Sequence, residues 1–309
     1  MRNQEEEIDY LNLKYLINLL IKSKKSLFLS FISFSLLSIF YSLSLDNIYK
    51  SNSKLKPVSN IENSQSTFGG ISGFASGLGL NLNQSSDRTS YAIEILKSTD
   101  FFKELYKNES FLLELEAIEH YDIDEDIITL NEDIYDIQKE EWILDTESLT
   151  KTKKPSLMKA KNKFYSEHLS ISVDLETRFI TISISHVSPK IAQKWLNETV
   201  EGLNKYVQKI EIQEVEHSIT YLKEQISLSK NSEVKAALAN ILQKQLEILM
   251  LSEVNQGYIV KFIDSPSLPE MKSYPIRSKM VISITLMGLV LTFLAILILD
   301  LNKRRNLLK

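Results

Sequence analysis

The sequence of 309 residues contains no cysteine and few histidines. The lack of cysteine excludes disulfides, thiolate nucleophiles and Cys-based zinc sites. The four histidines are separated by more than five residues, so no His-based metal motif is supported; they are His120, His168, His186 and His217. A net charge of −4 gives no reason to expect nucleic-acid binding.

Glycine is also scarce, and five of the eight glycines lie within residues 68–80. This segment is not a phosphate-binding loop, because no Gly-Lys-Ser/Thr follows it. Three of its glycines, Gly69, Gly73 and Gly77, are spaced by four, a spacing that lets a helix approach another helix closely. A flexible linker is the alternative, but apolar residues between the glycines argue against it.

Three of the six prolines lie within residues 264–277, which we call the collar. Pro266, Pro269 and Pro275 fix their own φ angles and favour an extended chain up to Arg277. The sequence therefore predicts a stiff connection at this point. Because an apolar run follows it, the collar is expected to set the pose of the preceding domain on a bilayer.

Two runs without any charged residue indicate membrane helices. They cover residues 27–45 and 280–299, close to the length of about 20 residues that crosses a hydrocarbon core. The alternatives are a cleaved signal peptide for the first run and a buried core helix for the second. The long segment before residue 27 and the lack of an A-x-A-like site after residue 45 disfavour a signal peptide.

Positive charges outside the two runs suggest the orientation of the chain. They are Lys22, Lys24 and Lys25 before the first run, and Lys303, Arg304, Arg305 and Lys309 after the second. Both ends are therefore expected in the cytoplasm, although lysines also flank the inner ends of the runs. Residues 46–279 then form one compartment across the membrane, with 27 Lys and Arg against 35 Asp and Glu and a net charge of −8.

Short strands and helices are predicted in the first part of this middle region. Residues 46–56 indicate a strand, and residues 168–174 and 178–185 alternate as a hairpin. Helices are expected over residues 88–98 and 100–115, the second capped by Thr99 or Asp100.

A long helical pattern follows Ser188-Pro189, which predicts an N-cap and a proline in the first turn. If it is continuous over residues 189–228, this helix is about 60 Å long. A second pattern ends near Gly257, and residues 258–263 read as a strand that returns to the sheet. The two helices favour an extended arm, with a helical hairpin folded on itself as the alternative. The stripe of Leu196, Val200, Leu203 and Val207 is a predicted interface between protomers, since an extended arm could not bury it.

Residues 114–147 form an acidic block, with fourteen acidic residues and one lysine. Six lysines follow between residues 151 and 163. The block could bind cations or dock a partner. The favoured interpretation is a solvated surface on which the acidic and basic blocks offset each other.

These features together resemble the Wzz-type chain-length determinants, the polysaccharide co-polymerases that regulate O-antigen length in lipopolysaccharide. The resemblance runs nearly end to end. It rests on the approach to the first apolar run at residues 8–11, the strand ending at Pro57, the small-residue stretch at 71–78, and residues 92–98. The most specific match is residues 262–266, continuing through the collar into the second apolar run. Ser265 and the long acidic block depart from the family pattern, which leaves the subtype open.

The resemblance implies an α+β protein of the bacterial inner membrane. Two transmembrane helices would flank a periplasmic domain with a small membrane-proximal sheet and a long extended helical arm. The expected segments are cytoplasmic 1–26, transmembrane 27–45, base 46–187, arm 188–256, returning strand and collar 257–279, transmembrane 280–299 and cytoplasmic 300–309.

The resemblance also implies a regulator without enzymatic activity and without a cofactor. The expected partners are further copies of the chain, a membrane-embedded polysaccharide polymerase, lipid-linked polysaccharide and the bilayer, with no nucleic acid. Two other functions remain open at this stage. One is an exopolysaccharide or capsule export co-polymerase that works with a separate cytoplasmic kinase, and the other is a membrane-tethered periplasmic sensor.

Overall fold

The computed structural model describes residues 13–58, 84–123, 125–145, 148–254 and 257–307. The chain forms two compact units. Unit 1 contains residues 1–48 and 272–309, and unit 2 contains residues 49–271.

Unit 1 contains two long apolar helices. Its elements are α1 (Leu13–Lys22), α2 (Lys24–Leu43), β11 (Lys272–Tyr274) and α9 (Arg277–Leu307). By length and composition, α2 and α9 could each cross a membrane, and only 11% of the apolar window of each helix is buried. So little burial does not fit the alternative of a core helix within a soluble domain.

Unit 2 combines a small sheet with helices. Its strands are β1 (Ile48–Pro57), β2 (Ile118–Asp122), β3 (Ile127–Leu130), β4 (Tyr135–Asp136), β5 (Glu141–Trp142), β6 (Leu144–Asp145), β7 (Ser148–Thr152), β8 (Leu169–Val173), β9 (Ile180–His186) and β10 (Val260–Asp264). Its helices are α3 (Gln84–Lys97), α4 (Thr99–Tyr106), α5 (Glu109–Glu116), α6 (Leu157–Lys163), α7 (Pro189–Leu228) and α8 (Ser232–Val254), and a π-helical turn covers Phe164–His168. The predicted α+β class is confirmed.

The main sheet of unit 2 has the antiparallel order β10-β1-β9-β8. The predicted hairpin is β8 and β9, in which Leu169 lies opposite Ile184. The predicted returning strand is β10, which pairs with β1. One face of the sheet is buried because the buried positions of β1 lie opposite those of β9, with Leu55 facing Ile180.

The core of unit 2 lies between this sheet, the short helices and the first half of α7. Its centre is an aromatic cluster of fully buried rings, namely Phe101, Phe102, Phe111, Phe164 and Trp195. The rings of Phe111 and Trp195 are 4.7 Å apart between centroids. Such contacts add to the stabilisation that area burial gives.

One predicted helix is wrong in its extent. Residues 100–115 form two helices, because the Asn108 side chain accepts from Ser110 N and caps a new helix at Glu109. The cap of the preceding helix is also different, since Ser98 accepts from Phe101 N. In contrast, the predicted start of α7 is confirmed, with Ser188 accepting from Ile191 N and Pro189 in the first turn.

Candidate functional site

The stripe predicted to join protomers lies inside the chain's own core. Leu196, Val200, Leu203 and Val207 are all 1% exposed or less, and they pack with the aromatic cluster. The premise that this stripe could not be buried within its own chain is therefore wrong. The reason is that the first half of α7 crosses the base of unit 2, where the sheet and the short helices cover it.

The arm is a helical hairpin, the alternative that the sequence left open. Helix α8 folds back along the second half of α7, so that Gln208 Nε2 donates to Ser252 O at 2.5 Å. Ile219 and Leu222 of α7 are buried on this side. The seam of the hairpin is narrow, because the facing leucines of α8, such as Leu242, are half-buried.

A second apolar stripe on α8 lies beside this seam and is more exposed. Val234, Ile241 and Ile248 follow each other at steps of seven residues and are 46%, 47% and 42% exposed. A β-branched residue every seven positions is the pattern that packs helices side by side in coiled coils. This stripe, which we call the outer stripe, is an exposed apolar surface of the arm.

Asn204 fastens the returning strand to α7 at the root of the arm. Its Oδ1 accepts from Ile259 N at 2.9 Å and from Val260 N at 3.0 Å, and its Nδ2 donates to Val260 O at 3.1 Å. Ile259 and Val260 are fully buried. The amide therefore satisfies backbone groups that would otherwise be buried without partners.

Glu211, about two turns further along α7, forms a second polar contact at the arm root. Its carboxylate accepts from Tyr258 OH at 2.5 Å and lies 3.7 Å from the Arg88 guanidinium. Burial and this hydrogen bond raise the pKa of Tyr258 to about 12. The tyrosine is thus protonated and donating at neutral pH, which holds the chain next to Gly257 against α7.

The first part of the collar is bonded to unit 2. Pro266 is buried, and its carbonyl accepts from Gln193 Nε2 at 2.8 Å. Two buried serines of β1 also reach this segment, since Ser51 Oγ donates to Ser267 O at 2.8 Å and Ser53 Oγ to Asp264 O at 2.6 Å. Serine at these buried positions is explained by the carbonyls it satisfies.

The last part of the collar is bonded within unit 1. Lys272 Nζ and Arg277 Nη2 both donate to Asn47 Oδ1, at 3.1 and 3.2 Å. Pro275 is buried and follows a cis peptide bond. The collar, predicted as one extended segment, therefore crosses the boundary between the two units and is bonded on both sides of it.

The two apolar helices of unit 1 pack on each other through small polar residues. Ser30 Oγ donates to Thr292 Oγ1 at 2.6 Å, because the threonine hydroxyl itself donates to Gly288 O. A Cβ added at Gly288 would lie 2.6 Å from Cδ1 of Phe34. Gly288 is thus a point of close contact between α9 and α2.

The acidic block is partly neutralised by the lysines that follow it. Glu116 accepts from Lys159 Nζ at 2.7 Å and Lys163 Nζ at 2.9 Å. Although burial opposes the change, these hydrogen bonds lower the pKa of Glu116. Glu114 accepts from Lys194 Nζ and from the buried Trp195 indole. Within the described ranges no cluster of three metal-ligating side chains occurs, and the pairs fit the interpretation that the two blocks offset each other.

Two of the histidines pack together on Trp195. The ring centroids of His168 and His186 are 5.7 Å apart, and burial lowers the pKa of both, that of His186 to about 4. His186 Nδ1 accepts from Ser188 N at 3.0 Å, so its proton lies on Nε2, which donates to Glu114 O. The neutral ring therefore supports the residue that caps α7.

The glycine-spaced segment with Gly69, Gly73 and Gly77 lies outside the described residues. The polar contacts at the arm root were not anticipated from the sequence. Asn204 lies next to the buried Leu203 in a helical pattern. This position beside the apolar stripe is the signal in the sequence that could have identified Asn204 as a partly buried polar residue. The pairing of Ser30 with Thr292 had a clearer signal, because hydroxyl residues recur in both apolar runs.

The described geometry defines a mixed helix and sheet protein with two candidate membrane helices and a long helical arm. Residues 9–109 match the model of the family described as "Chain length determinant protein", Wzz. This match confirms the Wzz-type resemblance over these residues. It covers α1, the candidate membrane helix α2, strand β1 and the helices α3 and α4.

Two solved structures are similar to this chain. One is described as a full-length bacterial polysaccharide co-polymerase, with 14% identity, a TM-score of 0.40, and coverage of 96% of this chain and 99% of that chain. The other is a fragment of WzzB, a polysaccharide co-polymerase from Salmonella Typhimurium, with 11% identity, a TM-score of 0.32, and coverage of 74% and 100%. No curated protein matches the sequence.

Proposed function

We propose that this protein regulates the length of a bacterial surface polysaccharide, the O-antigen of lipopolysaccharide, without catalysing its synthesis. The observation that carries the proposal is the match of residues 9–109 to the chain length determinant family. It is supported by two candidate membrane helices that bracket a folded unit of more than 200 residues.

The protein is proposed to lie in the inner membrane with both termini in the cytoplasm and unit 2 in the periplasm. The reason is the group of lysines and arginines at the outer end of each apolar run, because positively charged residues favour the cytoplasmic side. In that position unit 2 would meet lipid-linked polysaccharide at the membrane surface. A membrane-embedded polymerase is the proposed partner, since the regulator itself does not extend the chain.

The protein is proposed to act as a homo-oligomer through the outer stripe. Ile241→Glu places a charge at the centre of this stripe and should reduce the assembly size measured by light scattering in detergent. Gln243→Glu adds the same charge to an exposed position of the same helix off the stripe, and it should leave the size unchanged. Equal sizes for wild type and Ile241→Glu would remove the outer stripe from the interface.

Deletion of the gene tests the function itself. The expected result is an altered distribution of O-antigen lengths on a gel, restored by the wild-type gene at matched protein level. Loss of all surface polymer would instead indicate an export role, and an unchanged polymer with altered gene expression would indicate a sensor. Either of these outcomes would overturn the proposal.

The collar is proposed to couple unit 2 to the membrane helices. Replacing Pro266, Pro269 and Pro275 by alanine should leave expression and assembly size near normal while it changes the O-antigen length distribution. None of the three prolines lies within a strand, because β10 ends at Asp264 and β11 covers Lys272–Tyr274. A wild-type length distribution in this variant would show that the collar serves only as a tether.

A further inference from the structure

A groove of about 430 Å³ lies between α2 and α9 at the end of the helix pair that adjoins the collar. Its walls are apolar and come from both helices, namely Ile39 and Leu43 of α2 and Val281 and Ile282 of α9. Its size is in the range of ligand-binding clefts. Because both helices are candidate membrane spans, this groove would open to the acyl region of a bilayer.

Two polar groups of the groove have no hydrogen-bond partner among the described residues. Ser42 is 2% exposed, and its buried Oγ is unpaired. The buried Nε of Arg277 is also unpaired, although Nη2 of the same guanidinium donates to Asn47. Unpaired buried polar atoms are costly, so a ligand that accepts a hydrogen bond at this position is favoured.

The charge at the mouth of the groove is positive. Arg277 is the first residue of α9, and the first turn of that helix contains no acidic residue. The free N–H groups of a helix N-terminus favour an anion, and a guanidinium binds a phosphate with two parallel hydrogen bonds. The groove therefore combines apolar walls with an anion site at one end, an arrangement that suits a phosphate-bearing lipid.

We propose that this groove binds an anionic phospholipid, with the phosphate at Arg277 and one acyl chain along the apolar walls. The proposal depends on α2 and α9 spanning the membrane and is independent of the function in polysaccharide synthesis. A lipid bound in this way would contact both membrane helices next to the point where the collar begins to bond within unit 1. It would thereby stabilise their packing at that end.

The test is lipid binding by native mass spectrometry of the full-length protein released from detergent. The probe is phosphatidylglycerol, with phosphatidylcholine of the same acyl chains as the zwitterionic control. The wild type should bind phosphatidylglycerol more tightly by at least about fivefold, the value expected for one Arg near an anionic headgroup. Arg277→Gln should abolish that preference, whereas Lys279→Gln, which removes an exposed neighbouring cation, should preserve it.

Further variants separate the apolar walls from the anion site. Ser42→Leu should fill the groove and weaken the binding of both lipids, since both need room for an acyl chain. Glycerol phosphate should not displace the lipid, because it lacks the chain. Equal binding of the two lipids by the wild type, an unchanged preference in Arg277→Gln, or displacement by glycerol phosphate would each overturn the proposal.

The packing of α2 on α9 is checked in each variant by adding Ser30→Cys and Thr292→Cys and measuring the yield of the disulfide between them. The hydroxyl oxygens of Ser30 and Thr292 are 2.6 Å apart. The natural chain has no cysteine, so this disulfide would be the only one formed within a protomer. If Arg277→Gln fails this check, Arg277→Lys takes its place. It keeps the charge but loses the forked geometry, and it should lower the lipid preference without abolishing it.

Discussion

Replacing Asn204 by alanine should destabilise unit 2 by removing three hydrogen bonds at the arm root. The variant leaves the N–H groups of Ile259 and Val260 buried without an acceptor, because both residues are fully buried. Each unsatisfied donor costs about 1–3 kcal/mol, so a loss of about 2–6 kcal/mol is expected for the two. For a unit of this size, that loss lowers the Tm by about 4–24 °C.

Tryptophan fluorescence of the full-length protein in detergent measures this effect, since both tryptophans, Trp142 and Trp195, lie in unit 2. Gln213→Ala is the control, because Gln213 is exposed on the same helix. Its Tm should stay near the wild-type value. Hydrogen exchange should also increase in β10 of the Asn204→Ala variant, while exchange in β8 stays unchanged at temperatures well below the transition.

A Tm for Asn204→Ala that equals the value for Gln213→Ala would refute this reasoning. It would mean that the two N–H groups find other acceptors, such as water that enters the arm root. Accelerated exchange confined to β10 with an unchanged Tm would show instead that this strand opens locally and contributes little to global stability.

Three further outcomes are expected. The pKa of His186 is about 4 in the folded state, and that of an unfolded histidine is about 6.5. The contribution of the neutral ring to the free energy of unfolding is therefore fully present above pH 6.5 and is lost as the pH falls towards 4. The loss amounts to about 2 kcal/mol at pH 5. Urea unfolding at pH 7.5 and pH 5 should show this dependence, and His186→Gln should reduce it while the exposed His120→Gln should not. Gly288→Leu should separate the membrane helices and lower the yield of a disulfide engineered between them, and the additional Phe34→Ala should restore part of it. A reporter that is active only in the periplasm should be silent when fused after Lys309, and strong activity would contradict the proposed orientation.

Local signals in the sequence predicted β1, β8, β9 and the start of α7, but not the six short strands β2 to β7. Alternation over seven or eight residues predicts β8 and β9, and Ser188-Pro189 marks the start of α7 because capping and proline geometry act within one turn. The division of residues 100–115 into two helices at Asn108 was not predicted. A helical period continues through this position, and only the folded chain shows that the Asn108 side chain caps a new helix there.

Periodicity shows that a helix buries one face but not which surface covers it. This explains the error at Leu203, where a regular stripe was assigned to a second copy although the chain's own base covers it. The same limit hid the outer stripe, because Ile241 and the seam-facing Leu242 are adjacent in the sequence and equally apolar. Exposure in the folded chain separates them, since it depends on the partner that each side of α8 receives from α7.

The collar joins the two kinds of information. Its prolines indicate a stiff segment. A stiff segment can transmit a movement between unit 2 and α9 only if both of its ends are bonded in place. Hydrogen bonds hold one end to unit 2 through Pro266 and Ser267, and they hold the other end within unit 1 through Lys272 and Arg277. The stretch between these anchors is about four residues long and contains Pro269. So short a connection has little conformational freedom, which is the basis of the proposal that the collar couples unit 2 to the start of α9.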